Sequence, residues 1–231
     1  MKKLLTILTP LTLMGLVAGV TPAQAAIVAG WSQFNASTAT YPRAADNVGA
    51  NITSTGLNTA GIHRLASPDF TLGGDNGGWN TSGTVNTNQY VEFAVQPGAG
   101  FQVDFTNLQL NAKHDDTQLD LVLRSSVDGF TSDLGTQVSL TTSFNTYSFD
   151  LSSLAPQTGP VQFRLYGLNA NHSGVWFYGQ NSANVTGGGF VALNGDITAT
   201  GGGAVSTPEP SGIVSLMAVG ALGAASLRRR G

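Results

Sequence analysis

Apolar and polar residues alternate with a period of two through the middle of this chain. Phe101, Val103 and Phe105 alternate with Gln102, Asp104 and Thr106, and Leu119, Leu121 and Leu123 alternate with Asp120, Val122 and Arg124. Tyr147, Phe149 and Leu151 alternate with Ser148, Asp150 and Ser152, and Val161, Phe163 and Leu165 with Gln162, Arg164 and Tyr166. A period of two places one set of side chains in a core and the other in solvent, as in antiparallel sheets. Further strands are expected at 27–34, 89–95, 175–178 and 189–198. Turn residues separate them: Gln96-Pro97-Gly98, Asp128-Gly129, Ala155-Pro156 and Thr158-Gly159-Pro160. Outside the termini no apolar pattern holds for three helical turns. The expectation is an all-β domain over 26–200, a two-sheet antiparallel β-sandwich of jelly-roll type.

The two ends follow other patterns. Met1-Lys2-Lys3, an apolar run over 4–20 and Ala23-Gln24-Ala25 have the layout of a secretory signal peptide, a basic start, a hydrophobic helix and a small-residue cleavage site. Cleavage by signal peptidase after Ala25 would leave Ala26 as the new terminus. At the other end, the stretch 201–211 is a Gly/Pro linker containing Ser206-Thr207-Pro208-Glu209-Pro210. An apolar segment over 212–227 follows, then Arg228-Arg229-Arg230. Sixteen helical residues reach only ~24 Å, short of a ~30 Å hydrocarbon layer, so the span needs its arginines to snorkel. Those arginines would stay cytoplasmic and put the domain outside.

Pro208-Glu209-Pro210, the short helix and the basic end resemble the PEP-CTERM sorting signal of Gram-negative bacteria, also catalogued as an ice-binding protein C-terminal domain. The resemblance implies processing by an exosortase, transient membrane anchoring through the C-terminal helix, and delivery to the cell surface or extracellular matrix. It also implies association with exopolysaccharide and biofilm formation. It covers only 206–231 and concerns addressing. The run 101–151, with Leu123-Arg124-Ser125-Ser126-Val127-Asp128-Gly129-Phe130, is similar to ectodomains found ahead of this signal, which again implies a sandwich.

Composition narrows the functional classes. Charged residues make up 10% of the chain, and Gly supplies 30 of its 231 positions. Between the two signals, five basic residues face twelve acidic ones, a net charge of −7. That balance repels a phosphate backbone, so nucleic acid is not an expected partner. With no cysteine, thiol catalysis and thiolate metal sites are excluded.

Candidate chemistry is concentrated in loops. Trp79, within Asn76-Gly77-Gly78-Trp79-Asn80, is expected to expose part of its ring, where a sugar could stack and the Asn76 and Asn80 amides could hydrogen-bond. The alternative is that the ring folds back onto the sandwich. Trp31 and Trp176 are expected in the core. His114-Asp115-Asp116 with Asp120 could hold Ca²⁺ through Asp115, Asp116 and Asp120, or form a solvated polar turn. The loop with Asp69 and Asp75 offers the same two choices. Arg124, Arg164, Asp104, Asp120 and Asp150 share the polar phase of their strands and would form cross-strand pairs or a charged binding face. His63, His114 and His172 are far apart, with no G-x-S-x-G or H-E-x-x-H near them, so no catalytic residue is expected.

The expected role is that of an exported structural or adhesive protein of the exopolysaccharide layer, carbohydrate-binding and not an enzyme. The alternative is a secreted glycosidase-like enzyme, which needs two inward-facing carboxylates in a cleft. Ice binding is a third class, but the Thr residues show no regular period.

Overall fold

The computed structural model describes residues 26–31, 42–62, 64–65, 71–73, 78–114, 118–170, 174–177 and 191–201. The signal and sorting segments, with Ala23, Ala25, Pro208, Glu209, Pro210, Arg228, Arg229 and Arg230, lie outside them, as do Asp69, Asn76, Asp115 and Asp116. In chain order the strands are β1 (Ala26–Trp31), β2 (Asn47–Val48), β3 (Ile52–Ser54), β4 (Asn58–Ala60), β5 (Arg64–Leu65), β6 (Thr71–Gly73) and β7 (Tyr90–Pro97). They continue as β8 (Phe101–His114), β9 (Asp120–Ser125), β10 (Leu134–Ser139), β11 (Asn145–Asp150), β12 (Val161–Leu168), β13 (Gly174–Phe177) and β14 (Val191–Ala199). A single 3₁₀ turn, Ser126–Asp128, is the one helical element among the described residues. None of their helices is long and apolar enough to cross a membrane.

The strands form two antiparallel sheets packed as a sandwich. In the first, β11 and β14 flank β8, β1 and β2 continue beyond β14, and β13 extends the β14 edge of β8 toward β6 and β5. In the second, the order is β10-β9-β12-β7, with β3 and β4 both on the outer edge of β7. From β7 onward the chain crosses repeatedly between the sheets, so each inner face is assembled from strands distant in sequence.

The alternation predicts which residues meet between the sheets. Val91, Phe93 and Val95 of β7, Leu121 and Leu123 of β9, and Val161, Phe163 and Leu165 of β12 face Val103, Phe105, Leu108 and Leu110 of β8 in one core. Trp31 is fully buried there, as expected. Its indole N–H donates to the Arg43 carbonyl at 3.0 Å, so the ring is buried without stranding its polar atom. Four rings form the centre: Trp31 and Phe93 at 4.8 Å, Phe93 and Phe163 at 5.5 Å, and Phe163 and Phe105 at 5.3 Å. Burying each such side chain stabilises the fold by roughly 1.5–3 kcal/mol.

The alternation breaks inside β8. Asn194 pairs with Asn107 but Gly195 pairs with Phe105, so Thr106 is an extra residue in a β-bulge. The bulge shifts the inward phase from the odd positions Val103 and Phe105 to the even positions Leu108, Leu110 and Ala112. One fourteen-residue strand can therefore face the same core along its whole length.

Candidate functional site

The outer face of the second sheet carries the densest polar and aromatic grouping among the described residues. Antiparallel pairing sets its rows. Glu92 of β7 lies opposite Arg164 of β12, which lies opposite Arg124 of β9. Asn58 of β4 extends the row beyond Glu92, and Tyr166 lies opposite Val122 in the next row. Two arginines directly opposite each other repel, so each needs a counter-charge. Arg164 Nε donates to Glu92 Oε2 at 3.3 Å, and Gln162 Nε2 donates to the same oxygen at 2.6 Å. Arg124 Nε donates to Asp133 Oδ1 at 2.6 Å, and its Nη1 donates to the Phe130 carbonyl at 3.2 Å.

Rings cover the faces of these cations. The Arg164 guanidinium lies 4.1 Å from the centre of the Tyr90 ring and 4.0 Å from that of Phe130. Arg124 lies 5.8 Å from the Tyr166 ring, and Tyr90 meets Tyr166 edge-on at 5.8 Å. Tyr166, Val122 and Leu168 are buried together on this outer side, with Val85 and Tyr90 packed against them. The sheet thus has a small apolar cluster on its outer face as well as the main core on its inner one.

Phe130 reaches Arg164 at a conformational cost. After the 3₁₀ turn, Gly129 has φ 71° and Phe130 has φ 64°, both left-handed. Glycine accepts that region freely, but a bulky residue there stores ~1–3 kcal/mol. The loop is held by its own hydrogen bonds. Phe130 N–H donates to the Ser125 carbonyl at 2.8 Å. The Asp128 carboxylate accepts from Thr131 N–H at 3.2 Å, Thr131 Oγ1 at 2.9 Å and Ser132 N–H at 2.8 Å. Slight burial works against the Asp128 charge, yet these donors outweigh it and lower its pKa below 3.8. Burial also works against the charge of Arg164, and Tyr166, Tyr90 and Glu92 overcome it, raising its pKa. The Tyr166 hydroxyl contributes by proximity; it is buried and has no hydrogen-bond partner.

The loop residues expected to bind ligand sit differently. Trp79 is 3% exposed, which corrects the expectation of a partly open ring. Its ring lies on Gly167, where a Cβ would come within 2.5 Å of it, so the missing side chain of Gly167 is what admits the indole. The Asn80 amide is used inside its own loop: Nδ2 donates to Ser82 Oγ at 2.9 Å and to the Thr84 carbonyl, and Oδ1 accepts from Ser82 N–H at 3.1 Å.

Asp120 is also corrected. Its strand phase is polar, but it is 2% exposed, because Asn169 Nδ2 at 2.7 Å and Gln118 Nε2 at 3.3 Å cover its Oδ2. Oδ1 and the nearby-in-sequence His114 Nδ1 are buried without partners. Asp115 and Asp116, the other two ligands expected for Ca²⁺, lie outside the described residues. Among the described residues no group of three or more His, Asp or Glu could hold a metal.

Of the polar-phase set, the structure brings Arg124 and Arg164 together and leaves the aspartates elsewhere. Asp104 lies opposite Asp196 on the outer face of the first sheet, and Asp150 lies opposite Asn107. Asp104 is exposed. Tyr90, Glu92, Phe130, Asp133 and Gln162 were not among the candidate site residues read from the sequence. Tyr90 and Glu92 were legible as the phase opposite Val91 and Phe93, whereas no local signal marks Phe130 or Asp133.

No protein-family model matches the chain, and no curated protein matches it in sequence. Among solved structures it is similar to a family 29 carbohydrate binding module from Piromyces equi, at 9% identity and a TM-score of 0.37, covering 76% of this chain and 93% of that one. It is also similar to a variant family 29 module complexed with mannohexaose, at 10% identity and a TM-score of 0.36, covering 77% of this chain and 94% of that one. Similarity at this level assigns this chain neither a family nor a ligand.

Proposed function

We propose that this is an exported carbohydrate-binding protein of the cell surface or extracellular matrix, delivered by exosortase sorting to the exopolysaccharide layer, and that it binds rather than cleaves its ligand. The observation that carries the binding role is the convergence of Tyr90, Phe130, Arg164, Arg124, Glu92 and Gln162 on one outer sheet face. Sugars are recognised by this combination: rings for their apolar faces, and planar or charged groups for their hydroxyls. The backbone strain at Phe130 supports the same reading, since strain of this kind clusters at functional sites. The strand orders β1-β14-β8-β11 and β7-β12-β9-β10 support a jelly-roll topology for the domain.

Delivery rests on sequence: signal peptidase cleavage after Ala25, the Pro208-Glu209-Pro210 motif, the 212–227 membrane helix and Arg228-Arg229-Arg230. Replacing Pro208 and Pro210 with alanine should leave the chain unprocessed in the membrane; normal processing and release of that variant would refute exosortase sorting. Binding is tested by presenting the full chain to the source organism's exopolysaccharide and to a glycan array, with Ca²⁺ and with chelator. Retention on a glycan, weakened about tenfold in a folded Tyr90→Ala variant, is the expected result. The absence of retention on any glycan in either condition would overturn the binding role. Loss confined to the chelator condition would bring Ca²⁺ back to Asp115, Asp116 and Asp120.

A further inference from the structure

We propose that the paired guanidiniums of Arg164 and Arg124 seat a carboxylate, so that the ligand is an acidic polysaccharide built with uronic acid units. The inference rests on the carbohydrate-binding reading above and names the class of sugar it serves.

A guanidinium has five N–H donors in one plane. Arg164 commits Nε to Glu92, and among the described residues neither Nη1 nor Nη2 has a hydrogen-bonded acceptor. Its faces are occupied by Tyr90 and Phe130 at 4.1 and 4.0 Å, so a ligand must approach in the guanidinium plane, where the buried Tyr166 hydroxyl is also a neighbour. Arg124, directly across the strand pair, commits Nε to Asp133 and Nη1 to the Phe130 carbonyl, leaving Nη2 without an acceptor among the described residues. Both side chains are largely covered, at 22% and 18% exposure. Two well-covered cations thus stand opposite each other on neighbouring strands, whose opposed Cβ atoms sit ~4.5–5.5 Å apart, each with Nη donors left over.

A planar anion with two oxygens fits a guanidinium edge bidentately, and charge-assisted bonds of this kind are roughly twice as strong as those to neutral hydroxyls. The two acids already present hydrogen-bond Nε of their arginines, Glu92 to Arg164 and Asp133 to Arg124. The −7 balance of the domain gives an acidic polymer no general attraction, so its capture depends on this local pair. A sulfate ester shares the anionic chemistry and can also present two oxygens to a guanidinium, so the two are separated by experiment.

The test measures binding of the full chain to oligogalacturonate, to its methyl ester, to dextran sulfate and to polyglutamate. The expected result is binding of oligogalacturonate, weakened about tenfold or more by methyl esterification, with dextran sulfate and polyglutamate weaker still. Arg164→Lys, which keeps the charge but loses the plane and the ring contacts, should cost a similar factor. The methyl ester comparison uses the unaltered protein, so it decides the matter even if an arginine variant fails to fold. Equal affinity for acid and ester, retained by Arg164→Lys, would overturn the inference while leaving carbohydrate binding intact. Equal or tighter capture of polyglutamate would overturn the saccharide assignment, and tighter dextran sulfate would replace carboxylate by sulfate. Retention of no saccharide, neutral or acidic, would remove both this inference and the reading beneath it.

Discussion

The two outer faces of the sandwich are built by the same alternation yet differ in almost every physical respect. On the first sheet, the outward phase of β8, β11 and β14 is Gln102, Asp104, Asn107, Gln109 and Asn111 beside Thr146, Ser148, Asn194 and Asp196. Its side-chain hydrogen bonds include cross-strand amide contacts, Asn194 to Asn107 at 2.7 Å and Asn111 to Thr146 at 3.1 Å. On the second sheet, rings, guanidiniums and carboxylates interlock over a buried apolar cluster. The first face is a polar surface of amides, hydroxyls and carboxylates, on which Asn111 Oδ1 is buried without a hydrogen-bond partner. The second spends backbone strain at Phe130 and opposes two like charges, local costs that concentrate where a surface has work beyond folding.

The largest test of this difference is a matched pair of truncations at central outward positions. Tyr166→Ala, at a site 1% exposed, should lose about 3–5 kcal/mol in urea unfolding. Gln109→Ala on the exposed first face should stay within about 0.5 kcal/mol. Comparable losses at both sites would show that the faces are not distinct.

Phe130 sharpens the strain argument. If φ 64° stores energy there, Phe130→Gly should be more stable than Phe130→Ala by about 1 kcal/mol, against the usual ranking of those residues. The ordinary order in denaturant unfolding would mean that the loop relaxes without cost.

A smaller effect is expected on the first face. Asp104 and Asp196 are cross-strand partners, and neither has a basic partner among the described residues, so Asp104→Asn should raise stability by a few tenths of a kcal/mol, about 0.2–0.5 at low salt. A decrease would mean that this carboxylate already has a favourable role.

The smallest effect concerns acid. Because the folded pKa of Asp128 lies below its ordinary value of 3.8, its contribution is complete above that value and fades as pH falls through the lowered folded pKa. Asp128→Asn should therefore flatten the dependence of thermal stability on pH below 3.8 without altering it near neutrality. An unchanged acid limb would remove Asp128 from the account of the Phe130 loop.

The expected strands were largely legible, because a two-residue period follows from having one wet and one buried face. The observed β8 and β12 contain their alternating runs, β9 and β11 contain most of theirs, and β7 covers most of the strand expected at 89–95. What alternation could not show was a cover on the wet side. Tyr166 and Asp120 sit on polar phases and are buried all the same, by Tyr90, Val85 and Asn169 from elsewhere in the chain and by the neighbouring Gln118. Trp79 was misplaced for a similar reason: its Gly/Asn neighbours suggest an open loop, but the space that receives it belongs to Gly167, 88 positions away. Likewise, β10 and the Thr106 bulge carry no strong local pattern and follow from pairing with β9 and β14.

By itself, the sequence determined the all-β class, the inward residues of the main strands, the acidic balance and the absence of thiol chemistry, since these depend on local period and composition. Only the tertiary structure decided the strand order, the burial of Trp79 and Asp120, and the meeting of Arg124 with Arg164, Glu92, Tyr90 and Phe130. The physical reason is that antiparallel pairing joins residues dozens of positions apart, and the energy of a buried ring or a paired charge is set by what lies across the strand, not by what precedes it in the chain.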